Sequence, residues 1–99
     1  MATVLVDAEN VRRSVWPNIT EDELERSCEA WARDRDHRVI VVWEGDGTAD
    51  DRIARDVRTL EPPVWVVTSD RELRERVGRA AERVIGGGSF ARELQAQRR

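Results

Sequence analysis

The sequence predicts an α/β fold: a small doubly wound parallel sheet of about four strands, order 2-1-3-4, with helices on both faces. Three observations predict it. Short apolar, β-branched runs alternate with segments whose apolar residues recur every three or four positions. The runs are apolar throughout rather than alternating apolar with polar, the pattern of strands covered on both sides. The chain has 99 residues, which suits one domain spanning 1–99.

The elements follow in order. Thr3 to Val6 is a strand ending at Asp7. Thr20 and Glu23 form a capping box that opens a helix to about Arg35, with Leu24, Cys28 and Trp31 on one face. Val39 to Trp43 is the second strand, ending at Glu44 and Gly45. Thr48 and Asp51 start a helix striped by Ile53, Val57 and Leu60, and Pro62 and Pro63 stop it. Val64 to Val67 is the third strand. The run Ser69-Asp-Arg-Glu72 caps a third helix, with Leu73, Val77 and Ala80 or Ala81 inward. Val84 and Ile85 form a short fourth strand, and Gly86 to Ser89 turns into a last helix carrying Phe90 and Leu94. Right-handed crossovers between parallel strands place strands 1 and 3 side by side. Ligands bind at such a switch point, beyond the carboxyl ends of the strands.

Composition narrows the function. Hydrophobic residues are 39% and charged residues 37%, so the chain can bury a core and is not disordered. No apolar run reaches the roughly 18 residues that span a membrane, and Met1-Ala2-Thr3 lacks the basic start of a signal peptide. The single cysteine, Cys28, has no disulfide partner, and a reducing cytoplasmic setting is the expectation. Seventeen arginines and no lysine face 20 acids, for a net charge of −3. That balance argues against coating nucleic acid by bulk charge. It leaves room for a site whose acids are offset by bound cations.

The acids converge on one edge. Asp7 ends strand 1, Glu44 ends strand 2, Asp70 follows strand 3, and Asp50 and Asp51 open the helix after strand 2. Crowded carboxylates repel, and a hard divalent cation such as Mg²⁺ or Mn²⁺ relieves the repulsion. Asp50, Asp51 and Asp70 each have an equally good reading as helix caps. Asp7 does not, because an unpaired carboxylate in the middle of a sheet is costly. Glu44 reads better as a rim residue.

Five motifs recur in a specific order: Val-Leu-Val-Asp-Ala-Glu-Asn-Val (4–11), Trp16-Pro17, Thr-Ala-Asp-Asp-Arg-Ile (48–53), Val-Thr-Ser-Asp-Arg-Glu-Leu (67–73) and Gly-Gly-Gly-Ser-Phe (86–90). Together they resemble the YacP-like branch of the NYN domains, which are PIN-like nucleases, over nearly the whole chain. The resemblance implies a PIN-like fold and Mg²⁺- or Mn²⁺-dependent cleavage of RNA. The family's Asp after strand 1 with a nearby Asn maps to Asp7 and Asn10, its Thr-Ala-Asp to Asp50, and its Thr-Ser-Asp to Asp70. Two departures stand out. Glu44-Gly45 replaces the usual Asp-Gly or Asp-Ala. Only Asp46 and Gly47 precede Thr48, where relatives carry a strand and loop of roughly two dozen residues.

The leading expectation is therefore an endoribonuclease cleaving single-stranded RNA. Asp7, Asp50 and Asp70 are catalytic and, with Asp51, metal ligands, while Asn10, Glu44 and Ser69 support them. Arg12, Arg13 and Arg71, with Gly87, Gly88 and Ser89, are the candidate RNA contacts. Trp16 with Pro17 reads as a packed loop anchor more readily than as a shelf for a base. The alternative is a catalytically inactive RNA-binding or protein-interaction module, favoured by the short link before Thr48. A receiver-type phosphoacceptor lacks its lysine. His37, the only histidine, precedes strand 2 at the opposite edge and is assigned no chemistry. The shortened sheet edge offers itself to a second copy as a homodimer contact.

Overall fold

The computed structural model describes residues 1–45 and 47–97. Four strands form one parallel sheet: β1 (Thr3–Asp7), β2 (Arg38–Val42), β3 (Val64–Val67) and β4 (Arg83–Ile85), in the order β2-β1-β3-β4. The expected architecture and strand order are those observed. Among the described residues, five α-helices cover it: α1 (Ala8–Arg12), α2 (Glu21–Asp34), α3 (Ala49–Thr59), α4 (Arg71–Val77) and α5 (Gly87–Gln97).

Strand alternation sorts the core into two layers. Val4, Val6 and Val67 point to the side of α1, α2 and α5, where Leu24, Cys28, Trp31, Phe90 and Leu94 are buried. Leu5, Val42, Val64 and Val66 point to the side of α3 and α4, against Ile53, Val57, Leu73 and Val77. Full burial of an aliphatic side chain is worth about 1.5–3 kcal/mol, so each layer holds its helices firmly. Cys28 lies in the first layer with its thiol pushed up to about 12, chiefly by burial and secondarily by Glu25 and Glu29. It behaves as the small apolar core residue the sequence suggested.

Three local features differ from the sequence reading. The segment after β1, given no element from the sequence pattern, begins with the short helix α1, entered directly from Asp7. The cap of α4 is Asp70, whose Oδ1 accepts from Leu73 N at 3.0 Å, rather than Ser69 one residue earlier. Ser69 is engaged elsewhere, as described below. Trp16 is not a packed anchor: it is 88% exposed.

The link from β2 to α3 is as short as the sequence implied. Gly45 and Gly47 close it through reciprocal backbone hydrogen bonds of 3.3 and 2.8 Å. Gly47 has φ of 138°, a conformation side chains disfavour, so glycine is required there. Asp46 lies outside the described residues. Thr48 then caps α3, its hydroxyl accepting from Asp51 N at 3.1 Å. Among the described residues, no helix is long and apolar enough to cross a membrane.

Candidate metal and nucleic-acid site

Parallel strands end on the same side, so the residues that follow them share one edge. On that edge lies a cleft of about 430 Å³ lined by Asp7, Glu9, Asn10, Arg13, Ser14, Glu44, Asp50 and Asp70. Four of the five expected acids are among them, delivered by β1, the β2–α3 link, α3 and the β3–α4 junction.

Asp7 is the centre. It is only 5% exposed, yet it ends a strand in the middle of the sheet. By alternation it falls on the side of Leu5, toward α3 and α4, from which Asp50 and Asp70 come. Its carboxylate accepts one hydrogen bond, from the Thr68 hydroxyl at 2.8 Å. Burial pushes its pKa up to about 6, against the lowering effect of Thr68, and Asp50, Asp70 and Glu44 push it further in the same direction. No arginine forms an ion pair with it among the described residues. Asp50, half-buried, is also shifted upward, first by burial and then by Asp70 and Glu44, with Arg76 opposing. These acids destabilise one another's charged forms, which is the ordinary effect of like charges held close together.

The supporting contacts distinguish site from scaffold. Thr68, fully buried, donates to Asp7 and accepts from Asp70 N at 3.1 Å, so one hydroxyl sets the relation between two acids. Thr68 carries no role in the sequence pattern beyond its place in the 67–73 motif; its position directly after β3 is the signal that marks it. Glu44 reaches the head of α3, its Oε2 accepting from Ala49 N at 3.1 Å, while remaining on the cleft wall. Glu9, also unassigned from sequence, lines the cleft and ion-pairs with Arg12 at 3.4 Å and Arg13 at 3.1 Å.

Several expected site residues are placed differently. Asp51 points away: its side chain is 70% exposed and pairs with Arg76 at 2.9 Å, which holds its pKa low. It is one residue past Asp50 on a helix, about 100° around the axis, so the two cannot share a wall. Ser69 acts as a tie, its N–H donating to Asn10 Oδ1 at 2.9 Å and its Oγ accepting from Gly87 N at 2.7 Å. That bond occupies the Gly87 N–H, which is therefore not free for a phosphate. Gly87 is glycine because a Cβ there would overlap the Asn10 side-chain oxygen. Gly88 does not line the cleft, and Ser89 borders a different cavity beside His37 and Trp65. Of the three arginines, only Arg13 lines the cleft; Arg12 is held by Glu9 and by Ile19 O at 3.4 Å, and Arg71 lies exposed at the start of α4.

Among the described residues, no group of three or more acidic, histidine or cysteine side chains is arranged to hold one metal ion. The donor set nevertheless suits a hard cation: its candidate ligands are carboxylates, and Mg²⁺ commonly takes one or two carboxylates and completes its shell with water.

No family model matches the sequence, and no curated protein matches it. Among solved structures, the chain is similar to a crystal structure of Rae1 (YacP) from Bacillus subtilis, a point mutant, with a TM-score of 0.79 and 23% identity. The match covers 97% of this chain and 76% of that one. The fold is YacP-like. The NYN resemblance itself rests on the sequence motifs.

Proposed function

We propose that this protein is a Mg²⁺- or Mn²⁺-dependent endoribonuclease acting on single-stranded RNA. One observation carries the reading: Asp7 is buried, with no cationic partner among the described residues, in a cleft walled by Asp50, Asp70 and Glu44. A buried carboxylate costs stability, and a fold keeps such a cost where a ligand relieves it. The sequence motifs resemble a family associated with metal-dependent RNA cleavage, and the YacP-like fold accords with that.

In this reading one or two of Asp7, Asp50 and Asp70 would bind the ion directly and the rest through its waters, with Glu44 on the wall. Bound there, a divalent ion supplies a water activated for attack and neutralises charge on the phosphodiester. The chain's own groups do the rest. Thr68 fixes Asp7 and Asp70 relative to each other. The amide nitrogen of Asn10 has no partner among the described residues, since only its oxygen is engaged, and it can donate to a phosphate oxygen. Arg13, on the rim, can turn from Glu9 to a phosphate. An open cleft admits a single strand better than a duplex, whose scissile phosphate is recessed. With one arginine on the wall, binding should weaken only shallowly with salt, at roughly −0.7 in log affinity per phosphate contacted.

The test is incubation of the full chain with a mixed single-stranded RNA pool, with millimolar Mn²⁺ or with EDTA, alongside thermal melts in both. Metal-dependent fragments and a higher melting temperature in Mn²⁺ are expected. Identical melts and intact RNA would sink the reading. A second reading, an inactive RNA-binding or protein-interaction module, is favoured by the short Gly45–Gly47 link and by the lack of three converging ligands among the described residues. Its signature is RNA or protein binding without cleavage at any metal concentration.

A further inference from the structure

We infer that Trp16 is a stacking platform for one nucleobase of the RNA strand that crosses the carboxylate cleft. The inference rests on the nuclease reading of that cleft. It begins from a contrast among four tryptophans. Trp31, Trp43 and Trp65 each donate their indole N–H to a glutamate, at 2.6, 2.7 and 3.1 Å, and pack against the core. Trp16 makes no hydrogen bond or ring contact among the described residues and is 88% exposed. Tryptophan is highly buried on average and is enriched at binding surfaces.

The ring is exposed on an anchored segment. Val15 packs on the core and Ile19 is buried within it. Ser14 N donates to Val11 O at 3.1 Å, and Ile19 N to Arg12 O at 3.3 Å. The Arg12 guanidinium closes the same base by donating to Ile19 O at 3.4 Å. Both flanks of Trp16 are thus fixed, and stacking on it costs little ordering of the loop.

Its position fits a nucleotide. Arg13 and Ser14 line the cleft, and two residues of chain place the Trp16 Cα within about 7 Å of that of Ser14. A strand with its phosphate among Asp7, Asp50 and Asp70 would carry a neighbouring base past this ring. The surroundings argue for a base over a protein surface. Among the described residues, the other exposed large hydrophobic side chain is Met1, just before β1 and so at the opposite edge of the sheet. Arg13, Ser14 and Asn18, all exposed, surround Trp16 in sequence. Protein-docking faces need a contiguous apolar patch, whereas a lone ring among polar groups suffices for a π-face.

The test uses the full chain carrying Asp7→Asn, so that RNA stays intact, with Mn²⁺ present. The probes are a single-stranded ten-residue (roughly that length) oligoribonucleotide and an abasic ribose-phosphate oligomer of the same length. Adding Trp16→Ala should weaken binding of the oligoribonucleotide roughly 5- to 150-fold, and Trp16→Phe should restore most of it. The abasic oligomer should bind weakly and equally to all three proteins. In the parent chain, Trp16→Ala should raise KM and leave kcat nearly unchanged. Equal affinity with and without the Trp16 ring overturns the inference, and continued metal-dependent cleavage then leaves the nuclease reading standing. No RNA binding by any of these variants, together with no cleavage by the parent chain, overturns both. A Trp16-dependent dimer in sedimentation, with RNA affinity unchanged, assigns the ring to a contact between copies and overturns the inference.

Discussion

The two edges of the sheet handle charge in opposite ways. Where the strands begin, charged and polar groups are matched. Arg35 lies over the Trp31 ring at 5.1 Å, and Glu93 accepts from Trp31 Nε1 while reaching Arg35 at 3.9 Å. Arg83 lies over Trp65 at 5.0 Å, whose indole N–H goes to Glu82. His37 sits 5.7 and 4.6 Å from the Trp31 and Trp65 rings, its Nδ1 accepting from Ala2 N at 3.0 Å. Where the strands end, Asp7 and Asp50 face other acids, and burial raises both. The first edge is built as structure. The second carries an electrostatic cost that folding alone does not require. Acidic residues are abundant at both edges, so what separates scaffold from site is whether each acid has a partner.

Perturbing the two edges should give unlike results. The largest effect belongs to Asp7→Asn. Cleavage should fall by more than the roughly 10–100-fold typical of residues that merely support a metal ligand. The metal-free protein should at the same time melt higher near pH 7.5. A variant that loses activity by unfolding would instead make Asp7 structural.

Thr68→Val comes next. It keeps the shape of the side chain and removes both hydrogen bonds, so Asp7 and Asp70 lose their common reference. Metal-dependent cleavage should drop about 10–100-fold. Stability should fall by about 1–3 kcal/mol, since Asp7 loses its donor and Asp70 N its acceptor. Activity at the parental level in a folded Thr68→Val protein would show that the hydroxyl only fills space.

A smaller effect is carried by pH. The Asp7 carboxyl moves from 3.8 in the ordinary state to about 6 in the fold, so the native state holds its proton more tightly than the unfolded chain does. Stability of the metal-free protein should therefore decline as pH rises from about 4 to about 6 and stay reduced above that. The shift corresponds to at most about 3 kcal/mol, and water in the open cleft lowers that figure. Melting curves of the parent and Asp7→Asn should coincide in relative stability trend below pH 4, within about one unit, and diverge through pH 6. Parallel curves across the range would remove Asp7 as the source.

The smallest effect should come from the opposite edge. Arg35→Ala removes a cation over a ring and a long ion pair, worth about 0.5–1 kcal/mol. Melting should drop by a few degrees at most, and RNA cleavage should be unchanged. A marked loss of cleavage would mean that the two edges communicate.

Much of this contrast was legible in the residues. Asp7, Asp50 and Asp70 could be placed on one edge because each sits at a fixed offset from a strand or helix boundary, and parallel strands share their direction. Asp51 could not be separated from Asp50 in that way. Both are in the first turn of α3, and only the Arg76 side chain on α4 shows where Asp51 turns. The glycine run reads as a turn, whereas Gly87 and Gly88 already belong to α5, and the reason for glycine is not local: Gly87 makes room for Asn10 from α1. Trp16 was misread because aromatic residues are usually buried, and nothing local reports that its loop is pinned by Val15 and Ile19 instead.

The sequence by itself determined the strand order, the alternation that sorts Val4 and Val6 from Leu5, and the edge on which the acids collect. Those follow from periodicity and chain direction, which are local properties. Only the tertiary structure decided which acids share a wall, that Thr68 joins two of them, that Ser69 ties α1 to α5, and that Trp16 faces water. Each of these depends on side chains from segments far apart in the chain meeting at an angle set by helix packing, and no local pattern encodes that angle.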